Sequence, residues 1–259
     1  MIVSITLIKR ILYFLSVILV FSSCNLYKPT ALNTPILKEK GDLTVALSTV
    51  NSTDLLVNYA VSDNIAIQAN VATAYQLEIT SEVNGEERSA SFPNYKYDIG
   101  LAYFNETSTG DNLLVGVGYA GGEMGTLIND EDDFVGLVLT EGAFGASFNA
   151  GYIQSNYFID IGDDFYFGIC GRLNYLTFNE FDYSFIFSDT STFSESFTPK
   201  DHSALIGQLG AEIKYNGDKV GAFAQLNTAF DSNNEKYFTT RRLSLHVGVS
   251  FRLDEIFNF

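Results

Sequence analysis

From about residue 42 to residue 253 the chain alternates apolar and polar positions in long runs. The last run is the cleanest: Leu243, Leu245, Val247, Val249, Phe251 and Leu253 on one side, Arg242, Ser244, His246, Gly248, Ser250 and Arg252 on the other. A period of two over this length predicts a strand with one apolar and one polar face. The same alternation recurs in Ile65, Ile67, Ala69 and Val71 against Ala66, Gln68 and Asn70, in Tyr95, Tyr97, Ile99, Leu101 and Tyr103 against Lys96, Asp98, Gly100 and Ala102, in Phe165, Phe167, Ile169, Leu173 and Tyr175 against Gly168, Cys170, Arg172 and Asn174, and in Leu205, Leu209, Ile213 and Tyr215 against Gln208, Gly210, Glu212 and Lys214. No helical period competes with it. Ten strands are predicted, at about 42–50, 54–61, 64–79, 95–104, 112–122, 143–160, 164–182, 203–215, 219–230 and 242–253, with a phase slip near Tyr152 to Ile153. The count falls to eight if the first hairpin or one loop segment is misread.

The connections alternate in length. Short ones fall at Ser62-Asp63, Glu106 to Asp111, Gly162-Asp163 and Asn216 to Asp218; long ones at Thr80 to Asn94, Glu123 to Gly142, Asp182 to His202 and Asp231 to Arg241. Sequential antiparallel strands with this rhythm predict an all-β, closed up-and-down barrel. The link Asn51 to Thr53 is short where a long one is expected.

Two wet-side assignments are open to such a barrel. A water-soluble one turns its apolar face inward and covers the outside with charge. Here the polar face is rich in Gly, Ala, Ser, Asn and Gln, which fit a crowded interior, and the apolar face carries Tyr59, Tyr75, Tyr103, Tyr119, Tyr175 and Tyr215. Tyrosines near strand ends suit a bilayer boundary. The expectation is therefore a transmembrane barrel, with a soluble lipocalin-like barrel for an apolar ligand as the alternative. Charges of both signs on inward positions (Lys96, Asp98, Arg172, Glu212, Lys214, Arg242, Arg252) predict a plugged interior in which opposite charges pair.

At the front end, Lys9 and Arg10 precede the apolar run Ile11 to Phe21 and then Cys24. This is the order of a secretory signal, too short for a confident spanning helix. Residues 25–40 contain Pro29 and Pro35 and no period, so residues 24–41 read as a tether ahead of a 42–259 barrel domain. The net charge is −16, and it becomes −18 once residues 1–23 are removed, which argues against nucleic acid as a partner. Cys170 is then the one thiol besides Cys24, so no disulfide framework is expected.

Two resemblances sharpen this picture. Phe21-Ser22-Ser23-Cys24 resembles a bacterial lipobox, with Phe21 where Leu is usual, which implies a signal peptide over 1–23 and lipidation of Cys24. The spacing of His246, Gly248, Phe251 and Leu253 resembles the C-terminal signal read by the outer-membrane barrel-assembly machinery, although the chain continues to Phe259. Residues 42–253 as a whole resemble the small outer-membrane barrels of the OmpA/OmpX type. The resemblance implies residence in the bacterial outer membrane, contact with its lipids, and both chain ends in the periplasm.

Candidate chemistry is sparse. His202 and Ser203 are adjacent at a loop end, and no Ser–His–acid constellation can be assembled from spacing alone. Asp130, Glu131, Asp132 and Asp133 form an acidic run in a long loop, a weak Ca²⁺ candidate without EF-hand spacing. Phe181, Tyr183, Phe185 and Phe187 extend one strand beyond the expected membrane height as an aromatic edge. The expectation is a noncatalytic, lipid-anchored barrel with a structural role or a role in interaction through its outer loops. A small pore and a membrane-embedded hydrolase are the alternatives. No cofactor is expected, and the oligomeric state is not legible.

Overall fold

The structure, a computed structural model, describes residues 30–257 apart from 51, 74–76, 84–85, 93, 109, 129–138, 163, 188–191, 198–202 and 232–242. Thirteen strands follow in order: β1 (Leu43–Val50), β2 (Thr53–Ser62), β3 (Ile65–Thr73), β4 (Leu77–Val83), β5 (Glu86–Phe92), β6 (Tyr95–Glu106), β7 (Asn112–Ile128), β8 (Leu139–Gly162), β9 (Phe165–Phe187), β10 (Thr192–Phe197), β11 (Ser203–Asn216), β12 (Val220–Asp231) and β13 (Ser244–Arg252). A short helix, α1 (Leu253–Phe257), ends the described chain.

Ten strands close a ring in the order β1-β2-β3-β6-β7-β8-β9-β11-β12-β13, every pair antiparallel. The seam is β1 on β13, with Ser48 opposite Gly248. Closure leaves the ring without an edge and pairs the backbone around the cylinder, the condition a sheet must meet in lipid. All ten predicted strands are present. The departures lie at the long-loop end. The third strand stops at Thr73, and residues 77–92 form a separate β4–β5 hairpin. The β8–β9 hairpin rises past the rest of the barrel to Leu139 and Phe187, and β10 pairs with the part of β9 above β11.

The phase slip expected at Tyr152 to Ile153 is not there. Ala150, Tyr152, Gln154, Asn156 and Phe158 all point inward, and of the three irregularities in the β8–β9 pairing the nearest sits between Ser147 and Phe148, where Asn179 is the extra residue on β9. A bulge absorbs one residue without inverting the faces below it. Leu253 is also displaced from its expected place, since it begins α1 and does not continue the last strand. Arg252 anchors that turn, with Nη2 3.5 Å from Asp254, 3.7 Å from Asp42 and 3.8 Å from Glu255, while Asp254 accepts the backbone N–H of Leu43.

The faces are sorted as the alternation predicts. Leu245 and Val247 are each 43% exposed and Ile213 55%, whereas His246, between the first two, is wholly buried. Exposed rings gather in two belts: Tyr59, Tyr103, Tyr157, Phe165 and Tyr215 toward the short turns, and Tyr95, Tyr97, Tyr175 and Phe230 toward the long loops. Among the described residues no helix is long and apolar enough to cross a membrane, which says nothing of crossing by strands.

Inside, large rings lie across glycines. A Cβ on Gly168 would come within 2.3 Å of the Phe158 ring, and one on Gly248 within 2.5 Å of the Phe223 ring and 2.4 Å of the Leu47 carbonyl oxygen. The expected cost of Gly248→Val is therefore an overpacking penalty of about 1–3 kcal/mol. A lowered urea midpoint of the refolded protein would register it, and an unchanged midpoint would mean that Phe223 swings clear and the Leu47 backbone gives way.

Candidate functional site: a strapped, charge-paired lumen

Residues 24–29 lie outside the described residues. From Thr30 to Leu37 the segment expected as a free tether runs inside the barrel, with all eight residues buried. A segment running singly through the lumen has no ladder partner, yet each of its buried N–H and C=O groups requires one. Lumen side chains stand in for neighbouring strands. Gln225 takes both groups of Leu32, its Oε1 accepting the N–H at 2.8 Å and its Nε2 donating to the carbonyl at 3.2 Å. Asn227 Nδ2 donates to the Thr30 carbonyl, and Asp54 Oδ1 accepts the Ala31 N–H. Gln154 and Asn156 donate to the Asn33 carbonyl, Lys214 to that of Thr34, and Asn112 to that of Leu37. Pro35 brings no N–H to satisfy.

The strap's side chains are recognised as well. Thr34 Oγ1 donates to Glu212 at 2.5 Å, Asn58 donates to Asn33 Oδ1 at 2.9 Å, and Lys96 Nζ donates to Thr30 Oγ1 at 3.2 Å. Leu37 packs with Ala60, Ala66, Ala102, Phe104 and Leu114, Ile36 with Phe158 and Tyr166, and Ala31 with Ala46, Leu56 and Phe223. Beside the strap a void of about 20 Å³ remains, room for about one water.

Four of the seven inward charges expected to pair do so within the lumen and Arg252 does so at the rim. Arg172 lies 3.1 Å from Asp98, donates from Nε to Gln154 at 2.7 Å, and stacks 4.1 Å from the centre of the Tyr152 ring. Lys214 lies 3.1 Å from Glu212, with the rings of Phe158 and Phe223 at 5.1 and 5.7 Å. Lys96 faces the lumen on the strap, Arg252 holds the rim beside α1, and Arg242 lies outside the described residues.

Asp54 was not among the residues singled out from the sequence. Its Oδ2 accepts hydrogen bonds from Ser48 at 3.0 Å and Ser52 at 2.7 Å and faces His246 Nδ1 at 3.6 Å, while His246 Nε2 is 3.1 Å from Ser244 Oγ. Acid, imidazole and hydroxyl thus stand in the order a hydrolase uses, assembled by the Ser244–x–His246 spacing on one strand face and by β13 closing on β1. The imidazole–carboxylate distance is longer than a hydrogen bond, and Ser244 is buried against the lumen wall. The arrangement lies at the β1–β13 seam with all three side chains buried.

His246 and Gly248 therefore face the lumen, Phe251 is half-buried on the outer face, and Leu253 lies in α1. Ser203 opens β11, whereas His202 and the acidic run Asp130 to Asp133 fall outside the described residues. Among the described residues no group of three or more His, Cys, Asp or Glu is placed to hold a metal ion. Phe181 is buried and stacks on Phe178 at 5.2 Å, which makes it interior packing and not an exposed edge.

No family model and no curated protein matches the chain. Among solved structures, the outer membrane protease OmpT of Escherichia coli is similar at 12% identity over 82% of this chain and 91% of its own, with a TM-score of 0.40. OmpT, an outer membrane protein of Vibrio cholerae, is similar at 12% identity over 82% and 95%, with a TM-score of 0.19. These values are too low to carry an argument, so the assignment as a closed ten-stranded antiparallel barrel rests on the hydrogen-bond ladder described above.

Proposed function

We propose that the protein is a lipid-anchored barrel of the bacterial outer membrane, noncatalytic, with a lumen closed by its own N-terminal strap and a structural or loop-mediated role in the envelope. The observation that carries this reading is the inverted sorting of the faces: an apolar exterior between two aromatic belts, with paired charges and side-chain amides within. A soluble barrel for an apolar ligand needs the opposite sorting, which weighs against the lipocalin-like alternative. A strap and packed rings where a channel would run weigh against an open pore.

Anchoring through Cys24 follows from the lipobox resemblance, and palmitate label lost in Cys24→Ala tests it. The outward, half-buried Phe251 and the inward His246 and Gly248 suit recognition by the assembly machinery, while Leu253 lies in α1 outside that alternation.

Two substitutions test the membrane reading directly. Leu209 and Ile169 stand on the outer face near mid-height of the apolar band, 51% and 60% exposed. In lipid, Leu209→Arg or Ile169→Arg should cost about 2–4 kcal/mol near the bilayer centre, read as a lowered urea midpoint in liposomes and loss of heat-modifiable gel mobility. In water the same changes would be nearly neutral. Unchanged stability, with the protein recovered from the soluble fraction, would overturn the reading.

A further inference from the structure

We propose that α1 is a lipid-facing foot, its apolar side lying in the headgroup boundary of the leaflet at the short-turn end, level with the lower aromatic belt. The inference rests on the outer-membrane reading above and adds to it a lipid contact outside the strands.

The helix is only Leu253–Phe257, far too short to stand by itself in water. Side chains fix it to the rim of the barrel. Asp254 Oδ1 accepts the Leu43 N–H at 3.0 Å, and Arg252 Nη2 stands between Asp254, Glu255 and Asp42. Asp42 in turn accepts the N–H of Lys38 at 2.7 Å, in the turn that leads from the strap into β1. The acidic side of α1 is thus the side held to the rim. With roughly 3.6 residues per turn, Leu253, Ile256 and Phe257 share an arc of about 100°, turned away from Asp254 and Glu255. That sorting leaves Phe257 61% exposed, as much as Ile169 in the middle of the apolar band at 60%, with Ile256 exposed beside it.

Height decides what this side meets. The ladder sets Leu43 opposite Tyr59, a ring of the lower belt, so the bond from Asp254 to Leu43 holds the helix at belt level. Two residues before α1, Phe251 lies on the outer face between Val45 and the exposed Val220. The apolar side of α1 continues that face downward. At this depth aromatic side chains sit between acyl chains and headgroups, and a short amphipathic helix lies in the plane of the interface. Size disfavours a protein partner. A stable interface buries roughly 800 Å² on each side, and one turn of helix with three apolar side chains offers a fraction of that. Because Arg252 reaches both α1 and Asp42, the foot ties the lower end of the seam and the turn of the strap to one depth in the bilayer.

The full-length chain contains no tryptophan, so a single one reports its own surroundings. Phe257→Trp probes α1, Ile169→Trp the middle of the band, and Asp218→Trp the exposed short turn before β12. Each variant is refolded into phosphatidylcholine vesicles whose acyl chains carry bromine either near the headgroup or near the chain end. Heat-modifiable mobility is scored first, so that only folded protein is compared. The expected result is emission from Phe257→Trp blue-shifted relative to Asp218→Trp and quenched more by the shallow bromine than by the deep one, with the reverse order for Ile169→Trp. If Phe257→Trp is quenched by aqueous iodide as strongly as Asp218→Trp and by neither bromine, the foot is overturned and the barrel reading stands. Blue-shifted emission from Phe257→Trp that neither bromine nor iodide reaches would overturn it too, in favour of a protein cover. Ile169→Trp untouched by either bromine would overturn the membrane reading and the inference with it.

Discussion

Replacing Arg172 with Met lowers the unfolding free energy by about 3–5 kcal/mol, the cost of leaving a buried charge without its partner. Asp98 sits on the neighbouring lumen wall with Arg172 at 3.1 Å, and neither side chain is more than 1% exposed. Its remaining contact of note, the Tyr152 hydroxyl at 3.5 Å, is too long to replace an ion pair. The same substitution also removes the bond to Gln154 and the stacking on Tyr152. Adding Asp98→Asn should recover a large part of the loss, because the double variant buries no net charge. The measurement is urea unfolding in micelles, followed by circular dichroism, as the chain contains no tryptophan. A loss below about 1 kcal/mol would mean that water reaches the pair and that the lumen is wet.

Deleting residues 30–37 opens the barrel without unfolding it. Ordering eight residues costs roughly 8–16 kcal/mol. Burial of Leu32, Ile36 and Leu37 returns about 1.5–3 kcal/mol each, and the strap's hydrogen bonds about 0.5–1.5 kcal/mol each, so the two sides nearly cancel. What remains is a lumen lined by Asn58, Gln154, Asn156, Gln225 and Asn227, groups that water can satisfy once the strap is gone. The expected readout is discrete conductance steps in planar bilayers where the intact protein gives none, with heat-modifiable mobility retained. A silent deletion variant that still folds would show that the packed rings of Phe148, Tyr152, Phe158 and Phe178 close the lumen unaided. Loss of folding would show that the strap is a template for closure.

Strand existence, facing and number were readable because they depend on a local period. Leu245 and Val247 face outward and His246 inward for no reason beyond their neighbours in the chain. The inward charges were readable for the same cause, since Asp98 and Arg172 each occupy the polar phase of their own strand. Their pairing was predictable only as a class, because the partners lie 74 residues apart and meet through β6, β7, β8 and β9 lying side by side. Asp54 escaped notice for a related reason. Its donors Ser48 and Ser52 are close in the chain, but the Ala31 N–H of the strap and the His246 imidazole of β13 reach it only when the ring closes around the strap.

The strap was the largest omission. Thr30 to Leu37 has no period, no charge and one proline, which in sequence is indistinguishable from a linker. A linker and a buried strap differ in who satisfies the backbone. Here the donors and acceptors sit on β2, β7, β8, β11 and β12, with Asn227 as far as 197 residues from the carbonyl it serves. The abundance of Asn and Gln on the polar face is the visible trace of that arrangement.

The chain's own alternation thus determined that this protein is a barrel, which side of it is apolar and roughly how many strands build it, because each of those follows from side chains two residues apart sharing a face. Tertiary structure alone decided what fills the barrel and which charges meet. Those outcomes depend on groups far apart in the chain being brought within a few ångströms when the last strand meets the first.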